Sequence, residues 1–270
     1  MFVGFFVIVG AGATPHVARN SSRRIDVRST GLPRSLRDVS ATFGVSDRRA
    51  FLQRTYTLLG VALVGLAAVA GGMMAFAPQT SLAMSRWAFS GTWNWLLVLG
   101  LFMVVGFGAE RLARSESSRA LQYVGLAVGV VAQGLLLQPL LWVAIMKLGV
   151  ANATSVIAQA TVITLAIFIG LSVTVFVTRK DFSFLRGILV IASFAALGVI
   201  LASAIFGFSL GAIFAGVMVL LMAGYILFQT SLVMSEFPPT AHVAAALMLF
   251  STVATLFWYV LQLLLSLRRE

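Results

Sequence analysis

From residue 58 to the end, the chain alternates between long apolar stretches and short polar ones. Seven stretches stand out: residues 58–77, 93–109, 123–145, 156–178, 188–206, 210–233 and 243–267. None of them contains Asp, Glu, Lys or Arg. Each is long enough to cross a hydrocarbon layer of about 30 Å as a helix, the second being the shortest. The ten-residue alternating segments of a membrane β-barrel are absent. The pattern therefore predicts an all-α membrane protein, a bundle of seven transmembrane helices. Only Gly207-Phe208-Ser209 separates the fifth and sixth stretches, so these two are expected to form a tight helical hairpin.

Composition strengthens that reading. The chain is 60% apolar and 10% charged over 270 residues, with a mean hydropathy of +1.02. Soluble domains run near 45–50% apolar and about 25% charged. So much apolar surface has no single core to hide in, and lipid must be its solvent. Trp87, Trp93, Trp95, Trp142, Trp258 and Tyr259 fall near the ends of the stretches, where interfacial rings settle.

The first fifty residues form a separate region, followed by a transmembrane domain over residues 51–270. Residues 1–13 are apolar but too short to span. They read as a cleaved signal, a surface anchor or residues upstream of the true start, the last being the preferred expectation because no basic residue precedes the apolar run. Residues 14–47 are rich in Arg and Ser and poor in aromatics, which predicts a mostly disordered tail. A helix is expected to begin near Ser46, with Asp47 favoured in its first turn by the helix dipole.

The net charge of +11 changes the picture only through its placement. Nine of the nineteen basic residues lie between Arg19 and Arg54. With the tail in the cytoplasm, that side also receives Arg111, Arg114, Arg119, Arg179, Lys180 and Arg186. The other side receives Arg86, Lys147, Arg268 and Arg269. This asymmetry predicts a cytoplasmic N-terminus, with the Arg-rich tail against anionic lipid headgroups. Seven crossings leave the basic pair Arg268 and Arg269 outside, a conflict that a re-entrant last helix would remove. No nucleic-acid-reading motif accompanies the charge, so nucleic acid is not an expected partner.

Candidate chemistry is sparse. Gly207-Phe208-Ser209-Leu210-Gly211 matches the G-x-S-x-G pattern of hydrolases, but it falls in a turn between two membrane helices rather than a strand–turn–helix elbow. The histidines are His16 and His242, and the eight acids are Asp26, Asp38, Asp47, Glu110, Glu116, Asp181, Glu236 and Glu270, all expected in tails or loops. With no cysteine either, neither metal nor cofactor is implied, and the expectation is a protein that is not an enzyme. Small residues at helical spacing (Gly125 and Gly129, Ala158 to Thr161, Gly211 and Ala215) suggest close helix packing. The amides Gln133, Gln138, Gln159, Gln229 and Gln262 lie inside apolar stretches and must find partners there. For most of them, interhelical glue is the expected role.

Three segments resemble the Bax inhibitor-1 family (the TMBIM group), in particular its bacterial YccA-like branch. The first is Phe51-Leu52-Gln53-Arg54-Thr55-Tyr56 followed by Leu58-Leu59-Gly60. The second, Thr178-Arg179-Lys180-Asp181-Phe182-Ser183-Phe184-Leu185, is similar to the family's loop motif. The third is Gly224-Tyr225-Ile226-Leu227-Phe228-Gln229-Thr230-Ser231 with Ala244-Ala245-Ala246-Leu247-Met248-Leu249-Phe250. The resemblance implies a seven-helix bundle with a polar sixth-helix residue facing a central core, in a bacterial inner membrane. It also implies the family's links to calcium leak, to cell-death suppression in eukaryotes and, in bacteria, to a membrane-bound quality-control protease.

In the calcium-leak members a carboxylate from the sixth helix and one from the seventh form a pH-sensitive gate. Two close carboxylates share a proton because both ionise only at high cost. The matching positions here are Gln229 and about Thr252, neither of which titrates or offers an anionic oxygen to Ca²⁺. A second-helix acid is also missing, with Gly100 near that level; Arg111 (with Arg114) and the loop residues Arg179, Lys180 and Asp181 remain. The expected function is a non-enzymatic membrane regulator or ion (calcium) leak pathway with its di-acid gate lost. The alternative is an interaction protein that modulates a membrane protease.

Overall fold

The computed structural model describes residues 34–115 and 118–268, with side chains from residue 47 onward. Residues 1–33 lie outside the described residues, and with them the expectations for the apolar start and most of the tail. Seven helical elements follow one another: α1 (Arg34–Phe76), α2 (Pro78–Phe89), α3 (Thr92–Ala113), α4 (Arg119–Thr178), α5 (Leu185–Phe206), α6 (Ala212–Ser235) and α7 (His242–Leu267). No strand occurs among the described residues. Six of the helices are long and apolar enough to cross a membrane.

One of the six is two crossings joined. A straight helix of 60 residues would measure about 90 Å, three times the hydrocarbon layer. Gly149 interrupts α4 with φ 75° and ψ 163°, a left-handed backbone that a side chain would strain. The first arm of α4 packs on the far half of α1, where Gly134 meets Val69 and Ala70. The second arm returns to the near half, where Phe176 meets Tyr56 with ring centroids 5.5 Å apart. Seven crossings result, at the stretches the hydropathy pattern marks.

Cross-links between loops define the two ends of the bundle. At one end Arg48 of α1 donates to Phe237 O (2.6 Å) and Val233 O (2.5 Å), beyond and within the last turn of α6. Phe182 N of the α4–α5 loop donates to Ser231 Oγ (3.2 Å) at the same end of α6. At the opposite end the Arg268 guanidinium donates to Gln159 Oε1 (3.2 Å), and Trp95 stacks near Trp258. Arg268 therefore sits across the bundle from Arg48, and α7 runs its full length without re-entering. Four of the five tryptophans gather at the Arg268 end through Trp87–Asn94, Phe89–Trp95, Trp95–Trp258 and Trp142–Ser81 contacts, and Trp93 lies in the first turn of α3 beside them.

Helix α7 is the axis. Every residue from 243 to 256 is buried, so this helix is enclosed on all sides. The first arm of α4 approaches its neighbours closely enough to require glycine. A Cβ on Gly125 would fall 2.5 Å from Ala109 O and 2.6 Å from Ala113 N, backbone that has nowhere to go. A Cβ on Gly129 would meet Leu247 of α7 at 2.6 Å. Helix α5 is peripheral, burying only Leu189, Ser193 and Ala196. Tyr225 of α6 fastens it, with its hydroxyl 2.5 Å from Ser193 Oγ and donating to Leu189 O at 3.1 Å.

Several expectations change in detail. Helix α1 begins at Arg34 rather than near Ser46. Helix α2 occupies residues read as loop, because Pro78 opens a new helix and Ser81 and Ser85 supply a polar face. Ala158, Gln159 and Thr161 are exposed, and Ala153, Val156 and Ala160 form the packed face of that arm instead. Glu110 stands in the last turns of α3 rather than in a loop, paired with Arg114 at 2.8 Å.

Candidate functional site

Polar residues on α7 recur at Thr252, Thr255, Gln262 and Ser266. The innermost is closed off. Thr252 Oγ1 donates to Gln229 Oε1 of α6 at 2.8 Å and lies 3.3 Å from Met248 O one turn back. Gln229 is 0% and Thr252 1% exposed. The Gln229 Nε2 amide has no partner among the described residues. A buried amide without its hydrogen bond costs about 1–3 kcal/mol, so this core keeps an unsatisfied group at its centre. The pair is uncharged, and no ionisable side chain belongs to it.

The outer three polar residues face an opening. A cavity of about 330 Å³ lies toward the Arg268 end, bounded mainly by α3, α4, α6 and α7, with Phe89 of α2 and Ile200 of α5 at its edges. Its polar lining comprises Gln133, Lys147, Thr255, Gln262 and Ser266, and its walls include Trp95 and Trp258. Thr255 is one helical turn, about 4.5 Å along the axis, from Thr252. The cavity thus reaches to within one turn of the hydrogen-bonded pair.

The glutamines divide by role. Gln138 is glue in the expected sense: Nε2 donates to Ala70 O and Gly134 O at 3.1 Å each, and Oε1 accepts from Ser81 Oγ at 2.6 Å. Trp142 Nε1 extends this network to Ser81 Oγ at 2.7 Å. Gln159 is exposed and bonds Ser155 and Arg268. Gln133 is 4% exposed, lines the cavity and has an unpartnered Nε2. Sequence alone gave no reason to separate it from the others, since its isolation comes from which helices surround it.

The remaining candidates stand elsewhere. Arg111 is exposed near the end of α3 and does not join the Gln229–Thr252 pair. Arg179 ends α4 in a left-handed conformation, φ 49°, with its N–H on Val175 O. Lys180 is exposed, and its carbonyl faces Ser231 Oγ at 3.5 Å. Asp181 Oδ1 accepts from Ser183 N at 2.8 Å, closing the turn that leads into α5. Arg48 was not anticipated at all, because its acceptors lie more than 180 residues away. Its guanidinium also lies 5.0 Å from the Phe51 ring centroid. Ser209 and His242 flank opposite ends of α6, about 36 Å apart for a 24-residue helix, so they cannot act as nucleophile and base. Among the described residues no three His, Cys, Asp or Glu side chains cluster as metal ligands.

Known proteins resemble this chain along most of its described length. The family described as Inhibitor of apoptosis-promoting Bax1 matches residues 48–269. Bax inhibitor 1 of Schizosaccharomyces pombe is 30% identical over 227 residues, covering 81% of this chain and 77% of the yeast protein. An uncharacterized protein of Pseudomonas aeruginosa is 33% identical over 124 residues, 44% of this chain and 53% of its own length. An uncharacterized membrane protein of Vibrio cholerae is 32% identical over 118 residues, 42% of this chain and 51% of its own. The match thus spans about half the length of each of these two bacterial relatives. No solved structure matches. The family match takes in all seven crossings, the Gln229–Thr252 pair and the loop around Asp181, and on that ground the chain belongs to the Bax inhibitor family of integral membrane proteins.

Proposed function

We propose that the protein is a non-enzymatic leak pathway for small hydrophilic species, held closed by the uncharged Gln229–Thr252 latch. The observation that carries this reading is the cavity whose polar residues continue along α7 to one turn from the latch. A purely structural core has no need of an open, partly polar recess at its axis. The latch holds no carboxylate, so it offers Ca²⁺ no anionic oxygen, and Lys147 lines the cavity with a positive charge. Calcium is therefore a poor permeant. With no titrating group in the latch, conduction carries no step near neutral pH.

The protein is further read as lying in a bacterial inner membrane with the Arg48 end in the cytoplasm. Arg48, Arg49, Arg54, Arg111, Arg114, Arg119, Arg179, Lys180 and Arg186 belong to that end, against Arg86, Lys147 and Arg268 at the other. Such an excess suits the cytoplasmic face and its anionic lipids. No observation favours the reading in which the protein acts on a membrane protease.

Proteoliposomes test the proposal. The wild type should pass little Ca²⁺ between pH 6 and 8 and show no step across that range. The variant Gln229→Asp/Thr252→Asp should introduce one, because two facing carboxylates titrate near neutrality. Gln229→Ala/Thr252→Ala should raise the permeation of small neutral solutes such as glycerol. An open wild-type path with a steep pH dependence, or an unlatched variant as tight as wild type, would refute the reading.

A further inference from the structure

The cavity near Gln133 holds more than a path requires. Its walls are aromatic. Phe89 stacks on Trp95 at 5.2 Å between ring centroids, Trp95 stacks near Trp258 at 6.3 Å, and Phe214 meets Tyr259 edge-on at 6.2 Å. All five rings line the cavity. Gln133 lies on the first arm of α4, fourteen residues from Lys147 and so about 21 Å deeper along the helix axis. Its Nε2 donor is buried and unpartnered, and it borders this space. Elsewhere in the same arm, Gln138 satisfies its amide completely with protein groups. The contrast is physical: Gln133 Nε2 borders the cavity with no acceptor among the described residues.

We infer that this cavity is a binding site for a small lipophilic carbonyl compound, whose oxygen accepts a hydrogen bond from Gln133 Nε2 and whose apolar body lies between the aromatic rings. The volume of about 330 Å³ falls at the lower edge of the range of about 300–1,000 Å³ typical of small-molecule pockets. Apolar and aromatic walls with a small number of polar groups are the usual make-up of such sites, the walls giving affinity and the polar groups orientation. The aromatic walls favour a lipophilic ligand over a water-soluble one. The site stands whether or not the bundle conducts, since neither its donor nor its rings belong to the latch.

The fluorophore Prodan tests this directly, because its carbonyl oxygen shifts the emission to the red when it accepts a hydrogen bond. The comparator is dimethylaminonaphthalene, which lacks the carbonyl. Both are titrated into nanodiscs carrying the full chain, against empty nanodiscs to subtract partition into lipid. The wild type should show a saturable component for both probes, red-shifted for Prodan. Gln133→Met and Gln133→Leu should weaken Prodan about five- to tenfold, the worth of one hydrogen bond, and leave the comparator unchanged. Leu99→Trp, which fills the cavity from α3, should abolish saturable binding of both, with thermal unfolding confirming that the variant is folded. If that variant fails to fold, the two Gln133 variants decide. The proposal is overturned if the wild type binds neither probe saturably, or if the Gln133 variants move both probes equally or neither.

Discussion

The valine variant Thr252→Val probes the latch with little change in shape. It removes the hydroxyl that donates to Gln229 Oε1 at 2.8 Å and keeps the branched side chain in a site only 1% exposed. Gln229 Nε2 already lacks a partner, so in the variant the whole amide is stranded in the core. Interhelical hydrogen bonds in membranes average about 0.6 kcal/mol and reach about 1.7. A stranded polar group adds a penalty of about 1–3 kcal/mol. Together these place the loss at about 1.5–5 kcal/mol. The converse variant, Gln229→Met, conserves volume and removes both the orphaned donor and the acceptor. Thr252 then turns to Met248 O, 3.3 Å away, and the change should cost less than about 1 kcal/mol. The double variant should resemble Gln229→Met alone, giving a coupling of about 1 kcal/mol or more. Reversible unfolding in mixed micelles or steric trapping in bicelles measures all three. If Gln229→Met destabilises as much as Thr252→Val, or the two changes simply add, then the amide is not an unsatisfied group held by that hydroxyl.

Other outcomes follow from single contacts. Gly125→Ala should destabilise by about 1–3 kcal/mol or force α3 away from α4, because its new methyl would meet backbone at 2.5 Å, whereas Gly170→Ala, with nothing within 4 Å, should be neutral; thermal unfolding distinguishes them. Arg48→Ala should loosen the last turn of α6, read as faster hydrogen exchange over residues 232–237, and Arg48→Lys should restore only part of the protection because lysine lacks the guanidinium fork that reaches two carbonyls. Asp181→Asn keeps the acceptor for Ser183 N and should fold like wild type, while Asp181→Ala should lose about 1 kcal/mol; equal loss in both would assign the role to charge instead of turn closure.

The spans were legible because a membrane helix states itself in an uninterrupted apolar run, and each of the seven runs coincides with a crossing. Helix α2 was not, since its Gln79, Thr80, Ser81 and Ser85 read as loop polarity when the polar face in fact meets Gln138. Gly149 was one glycine among 24, and nothing local distinguishes a left-handed break from a tolerated helical glycine. The Gln229–Thr252 pair was found through family resemblance, and their contact across 23 residues is a property of how α6 and α7 pack. Gln133 and Arg48 were illegible for the same reason: their significance lies in which distant groups they meet or fail to meet.

The most direct test of a recess that ends at the latch uses the absence of cysteine from the chain. Single cysteines at Gln262, Thr255 and Thr252 can be challenged with a membrane-impermeant methanethiosulfonate from either side of a sealed vesicle. Gln262→Cys should react fast and Thr255→Cys more slowly, both only from the side bearing Arg268, while Thr252→Cys should resist reagent from both sides. Ready labelling of Thr252→Cys in the otherwise native protein, or protection of all three positions, would contradict the account.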